Sequence, residues 1–394
     1  MEAWIAVRAS PMAFHAVQCA SATASRNTAL AYQTLDLLAH RGEALRLINE
    51  EVSRLRDGEE PSDELLLSVL CMATERQDPQ TEANLRALNA RVPHPFRLAP
   101  GTPLDWTAAF ETTQPSAVHD CALQALLSRR QLGIRGIANR GIAAMLSAHD
   151  AHVAALSLRA PTQPFADTTP VSTPATAPPS VSPSPEPFLD AEPPAGHALQ
   201  TLLQGSATPL SPALCSALAQ LSVLLAAPRP ATPLRAAAAR ESARALHHDA
   251  LSLLPRRNGD DDEAPLAAAL RAAVLLLDCG VLHPYPASTG VLQRLVRALR
   301  DALAAVVERL GEERGGSAEA VVLWLLFVGG VAARVCEDES ERRWFVQGIA
   351  ALLERKGVRR WKSVKAFLEG FIWDGDSMDA EGVDLWDEVR ALEG

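Results

Sequence analysis

The sequence predicts an all-α protein built as an irregular array of antiparallel helices. Alanine and leucine are abundant in a chain that is 48% hydrophobic, and both residues favour helices. Aromatic residues make up only 5% and tyrosine occurs twice, so residue types typical of strands are scarce. With 394 residues, the chain can bury a large core or two packed parts. No fixed repeat is visible, which argues against a regular solenoid.

The first 160 residues predict six helices, because apolar residues recur there every three or four positions. Leu37, Leu45 and Ile48 illustrate this stripe in the longest of them. Ser62 precedes two acidic residues, which is typical of an N-cap followed by a first turn that suits the positive end of the helix. The six helices are expected from about residue 12 and near 26–55, 62–72, 81–90, 116–130 and 142–158.

The middle of the chain is rich in proline. Residues 161–194 carry 11 of the 28 prolines, interspersed with serine, threonine and alanine. Proline removes backbone donors and the other residues are small or polar, so this stretch cannot build a core. The sequence therefore predicts three parts: a helical part at 1–160, a disordered linker at 161–196, and a second helical part at 197–394 that packs with the first.

Helical spacing returns after this linker, with a weaker break at the acidic run 256–263. One segment, 320–333, is uncharged and apolar over about 14 residues, which is too short for a membrane span of about 20. We expect it to be a helix buried in protein. The helices of this part are expected near 211–226, 234–253, 265–279, 289–310, 318–336, 340–355, 361–373 and 380–392.

Charge and targeting signals restrict the function. The formal net charge is -10, whereas a DNA-binding domain usually carries a basic surplus. The N-terminus lacks a basic region followed by an apolar stretch and a cleavage site, so no secretory signal is predicted. We expect an intracellular protein that does not bind DNA by itself and does not associate with membranes.

Metal and catalytic motifs are not found. The six cysteines are dispersed without a C-x-x-C pair, so they are expected to be small core residues. His247 and His248 are adjacent, so they point about 100° apart on a helix and cannot easily share an ion; one is expected to face solvent. The acidic turn 374–381 fails the pattern of a calcium loop and is expected to be solvated. No catalytic residue, cofactor or metal site is predicted, and the protein is expected not to be an enzyme.

Five of the seven tryptophans lie between residues 324 and 386. Trp361, Val364 and Phe367 share one helix face, and such a stripe usually packs in a core. Gly329 and Gly330 interrupt the apolar segment; they are expected either to let a neighbouring helix approach closely or to end the first segment in a kink. The less favoured alternative is a ligand that approaches the exposed backbone.

Positive charge is densest at the start of the helix predicted near 361–373. The candidate partner-contact residues there are Arg359, Arg360, Lys362 and Lys365. Such side chains could contact acidic partner segments or nucleic acid. The favoured interpretation is that they only extend over apolar surface with their charged ends in water, as arginine and lysine next to a helix start more often do.

The order of these stretches resembles the fungal-specific transcription factor domain, the helical body that follows a binuclear zinc cluster in fungal regulators. Residues 11–15, 40–49 and 62–70 look like its opening, and 321–334, 341–350, 360–373 and 384–389 look like its closing helices. The resemblance implies a nuclear regulator acting through protein contacts, with partners in the transcription machinery or in a homo- or heterodimer. The family's zinc cluster is not encoded in these residues, so DNA is expected to be reached only indirectly. The alternative is a cytoplasmic helical scaffold or small-molecule-sensing module, whose effector is unknown.

Overall fold

The computed structural model describes residues 7, 10–24, 32–76, 79–97, 113–166, 210–227, 233–255, 263–310 and 317–392. These residues form fourteen α-helices, so the predicted all-α class is confirmed. Most of the predicted linker, 167–196, lies outside the described residues.

Six α-helices precede residue 161 among the described residues, as predicted, although the ends that the structure describes shift by a few residues. Ser62 caps the third of them, its hydroxyl accepting a hydrogen bond from the Leu65 N–H at 3.1 Å. A three-residue antiparallel ladder, β1 (Thr74–Arg76) with β2 (Thr113–Pro115), was not predicted. The helices are α1 (Pro11–Ala24), α2 (Tyr32–Arg54), α3 (Asp63–Met72), α4 (Pro79–Arg91), α5 (Ala117–Ser128) and α6 (Arg140–Ser157).

Eight α-helices follow residue 210 in the described part of the chain. A single π-helical turn, Asp278–Leu282, continues the third of them. Short 3₁₀ turns lie at Gly133–Gly136, Ala287–Thr289 and Ala333–Val335. The helices are α7 (Pro212–Ala226), α8 (Pro233–Ser252), α9 (Pro265–Leu277), α10 (Val291–Leu310), α11 (Ser317–Ala332), α12 (Glu339–Lys356), α13 (Trp361–Glu369) and α14 (Gly375–Ala391).

Two apolar cores hold the helices together. The smaller core lies among α1, α2, α3, α5 and the first turns of α6. The larger core includes α7 to α14 and the later turns of α6. Helix α6 thus contributes Ile142 and Leu146 to one core and Ala151 and Ala154 to the other. The two cores therefore share α6, while the division of the chain into parts at 161–196 stays a prediction.

Helix α11 lies at the centre of the larger core. Trp324, Leu325, Phe327 and Val328 are fully buried, so the prediction of a helix buried in protein is confirmed. By length and composition two helical stretches could cross a membrane, Pro265–Leu282 and Ala318–Val335. The share of each stretch that is buried inside the protein is 61% for the first and 78% for the second, as is common for core helices.

The glycine pair in α11 permits close helix packing. The helix continues through both positions to Ala332, so the alternative that the pair ends the segment is wrong. A Cβ at Gly329 would overlap the Phe345 ring, and one at Gly330 would lie 2.7 Å from Leu385. Helices α12 and α14 therefore approach the α11 backbone at distances that only glycine allows.

The tryptophans at this end are core residues, as predicted. Trp324 is buried and its indole N–H donates to the Ile372 carbonyl at 2.9 Å. Trp373 and Trp386 are 8% and 7% exposed, and Trp361 packs beside Phe327 and Trp386. The buried indole N–H of Trp324 thus has a partner, which removes the cost of burying it.

Candidate functional site

The turn between α12 and α13 presents the cations predicted to contact a partner. Gly357 ends α12 with a left-handed φ of 64°, and the Val358 N–H donates to the Leu353 carbonyl at 3.2 Å. This bonding pattern closes a helix end and reverses the chain sharply. The turn is therefore fixed by backbone hydrogen bonds and a glycine, which gives its side chains a defined position.

Helix α13 packs against the protein through its apolar face. Val364 and Leu368 are buried, and Trp361 fits over Gly382, where a Cβ would lie 2.9 Å from the indole. Arg359, Arg360 and Lys362 are exposed instead. They form no ion pair with any residue in the described ranges. We call these three side chains the basic surface.

Lys365 differs from the other three predicted contact residues. Its ammonium lies 2.5 Å from Asp379 and 3.6 Å from Glu369. The hydrogen bond to Asp379 raises the pKa of Lys365. Asp379 also accepts the indole N–H of Trp373 at 2.9 Å. Lys365 thus belongs to an intramolecular network, and the available charge is that of Arg359, Arg360 and Lys362.

A second polar site lies inside the larger core. His247 of α8 and His283 each place Nδ1 against the carboxylate of Asp278, at 2.5 and 3.0 Å. The His side chains are 3% and 6% exposed and Asp278 is fully buried. We call these residues the His247–Asp278–His283 triad. It joins α8 to the π turn, since Asp278 and His283 follow His247 by 31 and 36 residues in the sequence.

Further rings surround the triad. Tyr285 is fully buried, and its hydroxyl lies 3.3 Å from Nδ1 of His152 on α6. The His152 and Tyr285 rings stack with 5.6 Å between their centroids. The His247 and Tyr285 rings also stack, with 6.2 Å between their centroids. Helices α6, α8 and α9 are therefore linked by a continuous polar cluster inside an otherwise apolar core.

The surroundings of the triad shift the pKa of Asp278 and of His283. Burial would raise the pKa of Asp278, but the charges and hydrogen bonds of His247 and His283 hold it well below its usual value. Burial, and then the neighbouring His247, lower the pKa of His283. Asp278 is therefore an anion at neutral pH, held by imidazole donors in a medium with little water.

A small cleft opens beside the triad. His247 and His283 line it together with Ser147, Phe165, Arg244 and His248. Its volume is about 260 Å³ including the open mouth, and it has room for only about one water molecule. It is smaller than the pockets of roughly 300 Å³ or more that usually hold organic ligands.

The start of the predicted linker forms one wall of this cleft. The carboxylate of Asp150 accepts hydrogen bonds from the backbone N–H groups of Thr162 and Gln163 at 2.7 and 2.8 Å. His248 Nε2 lies 2.8 Å from the Gln163 carbonyl, and Arg244 lies over the Phe165 ring. Residues 161–166 are thus docked against α6 and α8.

The model of the fungal-specific transcription factor domain matches residues 6–393. The chain belongs to this family. The family resemblance predicted from the two ends of the sequence is therefore confirmed, and the match also covers the middle. No curated protein and no solved structure matches the chain.

Membership in the fungal-specific transcription factor domain family gives the chain a role of the transcription-regulator type. The family is not an enzyme family. Neither the basic surface nor the triad is identified by the family match itself, so their roles have to be argued from their geometry.

Sequence reasoning missed the triad and misjudged its neighbour. His247 and His248 do diverge on the helix, as expected, but His248 does not face solvent; it is half-buried against Gln163. Asp278 and His283 are far from His247 in sequence and five residues apart from each other. That spacing matches no helical face, and only the π turn brings both side chains to one point.

The residues predicted to form an acidic turn, 374–381, are the N-cap and first turns of α14 and are only partly solvated. Asp374 caps α14, accepting from the Asp376 N–H at 3.3 Å. Asp379 is engaged by Trp373 and Lys365, as described above. The prediction of a purely solvated turn is therefore wrong for Asp379, because the start of α14 folds back onto α13.

Proposed function

We propose that this chain is the regulatory body of a fungal transcription regulator that works in the nucleus through protein contacts and reaches DNA only indirectly. The family match over residues 6–393 carries this proposal. The match extends across both cores, so the regulatory body as a whole, and not one helix pair, supports the assignment.

The basic surface is the proposed partner contact. Arg359 and Arg360 lie in the turn after Gly357, Lys362 lies in the first turn of α13, and all three are exposed. A backbone that is already fixed removes the cost of ordering the turn when its cations pair with a carboxylate of a partner. On a protein of net charge -10, such a surface would favour an acidic protein segment from the transcription machinery or a dimer partner.

Duplex DNA is the less favoured partner for the same surface. Specific DNA binders usually neutralise about 6–10 phosphates, whereas this surface offers three cations. The acidic chain around it would repel the phosphate backbone at longer range.

The alternative of a small-molecule-sensing module in the cytoplasm has less support. The cleft beside the triad has room for about one water molecule, which is too little for a metabolite. A ligand-dependent rise in melting temperature without a transcriptional partner would favour that alternative.

The proposal is tested in a fungal host with the tagged full chain. We expect nuclear localisation, altered transcript levels on deletion, and recovery of a partner by crosslinking. Lys362→Glu should weaken partner recovery and transcriptional rescue, because it places an anion in the basic surface. Arg343→Glu reverses an exposed charge elsewhere on α12 and is the matched control. Exclusion from the nucleus together with unchanged transcription on deletion would overturn the proposal.

The proposal that the protein reaches DNA only indirectly has a separate test. Purified chain is titrated with a pool of duplex DNA at two salt concentrations. We expect no retention at physiological salt. Binding with a steep salt slope that disappears in Lys362→Ala/Lys365→Ala would contradict indirect DNA contact.

A further inference from the structure

We propose that His247, Asp278 and His283 bind one divalent transition-metal ion of the zinc class. One donor atom from each of the three residues lies within 4.8 Å of the other two. Two imidazole nitrogens and one carboxylate oxygen are a donor set that zinc accepts, commonly with water as the fourth ligand. All three residues are buried, unlike the acidic clusters that occur on any protein surface.

The distances suit an ion after a small adjustment. A tetrahedral centre with bonds of about 2.0–2.1 Å spaces its ligand atoms by about 3.3 Å. The His247 and His283 nitrogens lie 2.5 and 3.0 Å from the two different oxygens of Asp278. The three donor atoms lie within 4.8 Å of one another, so each pair needs to move by at most about 1.5 Å to reach this spacing. The two hydrogen bonds hold both imidazoles against the carboxylate until the ion replaces the bridging protons.

The backbone that carries two of the donors is well fixed. Asp278 begins the π turn and His283 follows its end, with the His283 N–H donating to the Asp278 carbonyl at 2.7 Å. The Phe96 ring packs where a Cβ of Gly280 would lie, which locks the middle of the turn. Such π turns frequently lie at functional sites.

Charge and space also permit an ion. Asp278 supplies a buried negative charge, and the nearby guanidinium of Arg244 is neutralised by Glu241 at 2.9 Å. The cleft lined by His247 and His283 has room for about one water molecule, which matches a single open coordination position. The cleft is too small for an organic substrate, so the ion would hold α8 against the π turn and stabilise the larger core.

The test uses tag-free full-length protein dialysed against Zn²⁺ in the low micromolar range, with bound metal measured by mass spectrometry. We expect about one equivalent per chain and a higher Tm than in chelator-treated protein, since ligand binding to the folded state alone stabilises it. Co²⁺ should give visible absorption bands of a low-coordinate site with nitrogen and oxygen ligands. These bands would not appear for an ion bound loosely in water.

Variants separate this site from adventitious binding by other histidines and cysteines. Asp278→Asn keeps the shape of the side chain, and His283→Gln removes one imidazole; each should weaken binding at least about tenfold. His149→Gln is the matched control, because His149 is also buried and faces a carboxylate, Asp120, at 3.5 Å. It should bind metal like the unmodified protein, and circular dichroism verifies that each variant is folded.

Two results would overturn the proposal. One is folded unmodified protein that retains less than about a tenth of an equivalent of Zn²⁺ and shows no rise in Tm; the triad is then a hydrogen-bonded cluster only. The other is binding that persists unchanged in folded Asp278→Asn and His283→Gln variants, which would place the ion elsewhere. Neither result bears on nuclear localisation or partner recovery, so the proposed regulatory function is tested independently.

Discussion

The tryptophan-rich end and the histidine cluster stabilise the same large core by opposite means. Around Trp324 the helices are joined by large apolar rings and by glycines that allow backbones to approach. Around Tyr285, α6, α8 and α9 are joined by histidines and a buried carboxylate. Apolar packing does not depend on pH or ions, whereas buried imidazoles and carboxylates respond to both. The difference suggests that the tryptophan-rich end supplies stability, and that the histidine cluster makes stability sensitive to pH and to ions.

The largest expected effect is at the centre of the apolar end. Trp324→Ala removes a fully buried ring and leaves the Ile372 carbonyl without its indole partner. We expect a loss of about 3–5 kcal/mol in the free energy of unfolding. Trp344→Ala, at a half-buried position, should cost clearly less in the same denaturant titration. Equal losses would mean that packing at Trp324 is not special.

A smaller loss is expected at the glycine pair. Gly329→Ala introduces a methyl that overlaps the Phe345 ring, so α11 and α12 must separate. The expected cost is about 1–3 kcal/mol. Gly42→Ala in α2 meets nothing within 4 Å and should be neutral or stabilise by up to about 1 kcal/mol. If thermal denaturation showed the two variants alike, close approach at Gly329 would not limit the packing.

The pH dependence of stability tests the contribution of a buried histidine. Burial lowers the pKa of His94, whose Nδ1 lies 3.0 Å from the Phe96 carbonyl. The unfolded chain therefore takes up a proton near pH 6.5 while the folded chain resists it, so stability is full above pH 6.5 and falls as the pH drops below it. The slope for this one group is at most about 1.4 kcal/mol per pH unit.

Replacement of this imidazole isolates its contribution. His94→Asn keeps an amide near the Phe96 backbone but does not titrate. Denaturant titrations from pH 7 to pH 5 should show a shallower loss of stability in the variant than in the unmodified protein. Identical slopes would assign the pH dependence of stability to titratable groups other than His94.

The smallest expected effects are at the surface. Lys365→Ala breaks the ion pair with Asp379 and should cost up to about 1 kcal/mol, since partly exposed pairs contribute little. Lys362→Ala should stay within about 0.5 kcal/mol, because Lys362 has no ion-pair partner among the described residues. A double-mutant cycle of Lys365 with Asp379 measures the pair. A cost at Lys362 equal to that at Lys365 would contradict its assignment to the free basic surface.

Most of the fold could be predicted because its determinants are local. Helical spacing, the Ser62 cap and the apolar run of α11 each act within a few residues. The close packing at Gly329 could be named only as one of three alternatives, since the partner Phe345 belongs to another helix. The β1–β2 ladder was missed because each strand has only three residues and its partner lies far along the chain.

The candidate sites show the same limit. The residues of the basic surface lie close together in sequence, so this surface could be predicted. That Lys365 forms an ion pair instead depends on Asp379 of α14. The triad depends on a π turn and on a helix 31 residues earlier, and neither signal is visible in residue spacing. Local motifs are readable from sequence, whereas sites assembled by tertiary packing are not.

The placement of the tryptophans makes the two cores spectroscopically distinguishable. The described tryptophans, at positions 324, 344, 361, 373 and 386, all belong to or pack against the larger core. In a variant in which Trp4 and Trp106 are replaced by phenylalanine, the emission therefore reports on the environment of α11 to α14. Far-ultraviolet circular dichroism instead averages over every helix. Coincident unfolding curves from the two signals would show that both cores melt as one cooperative unit through their shared helix α6. Separated curves would show that the chain contains two units that unfold independently.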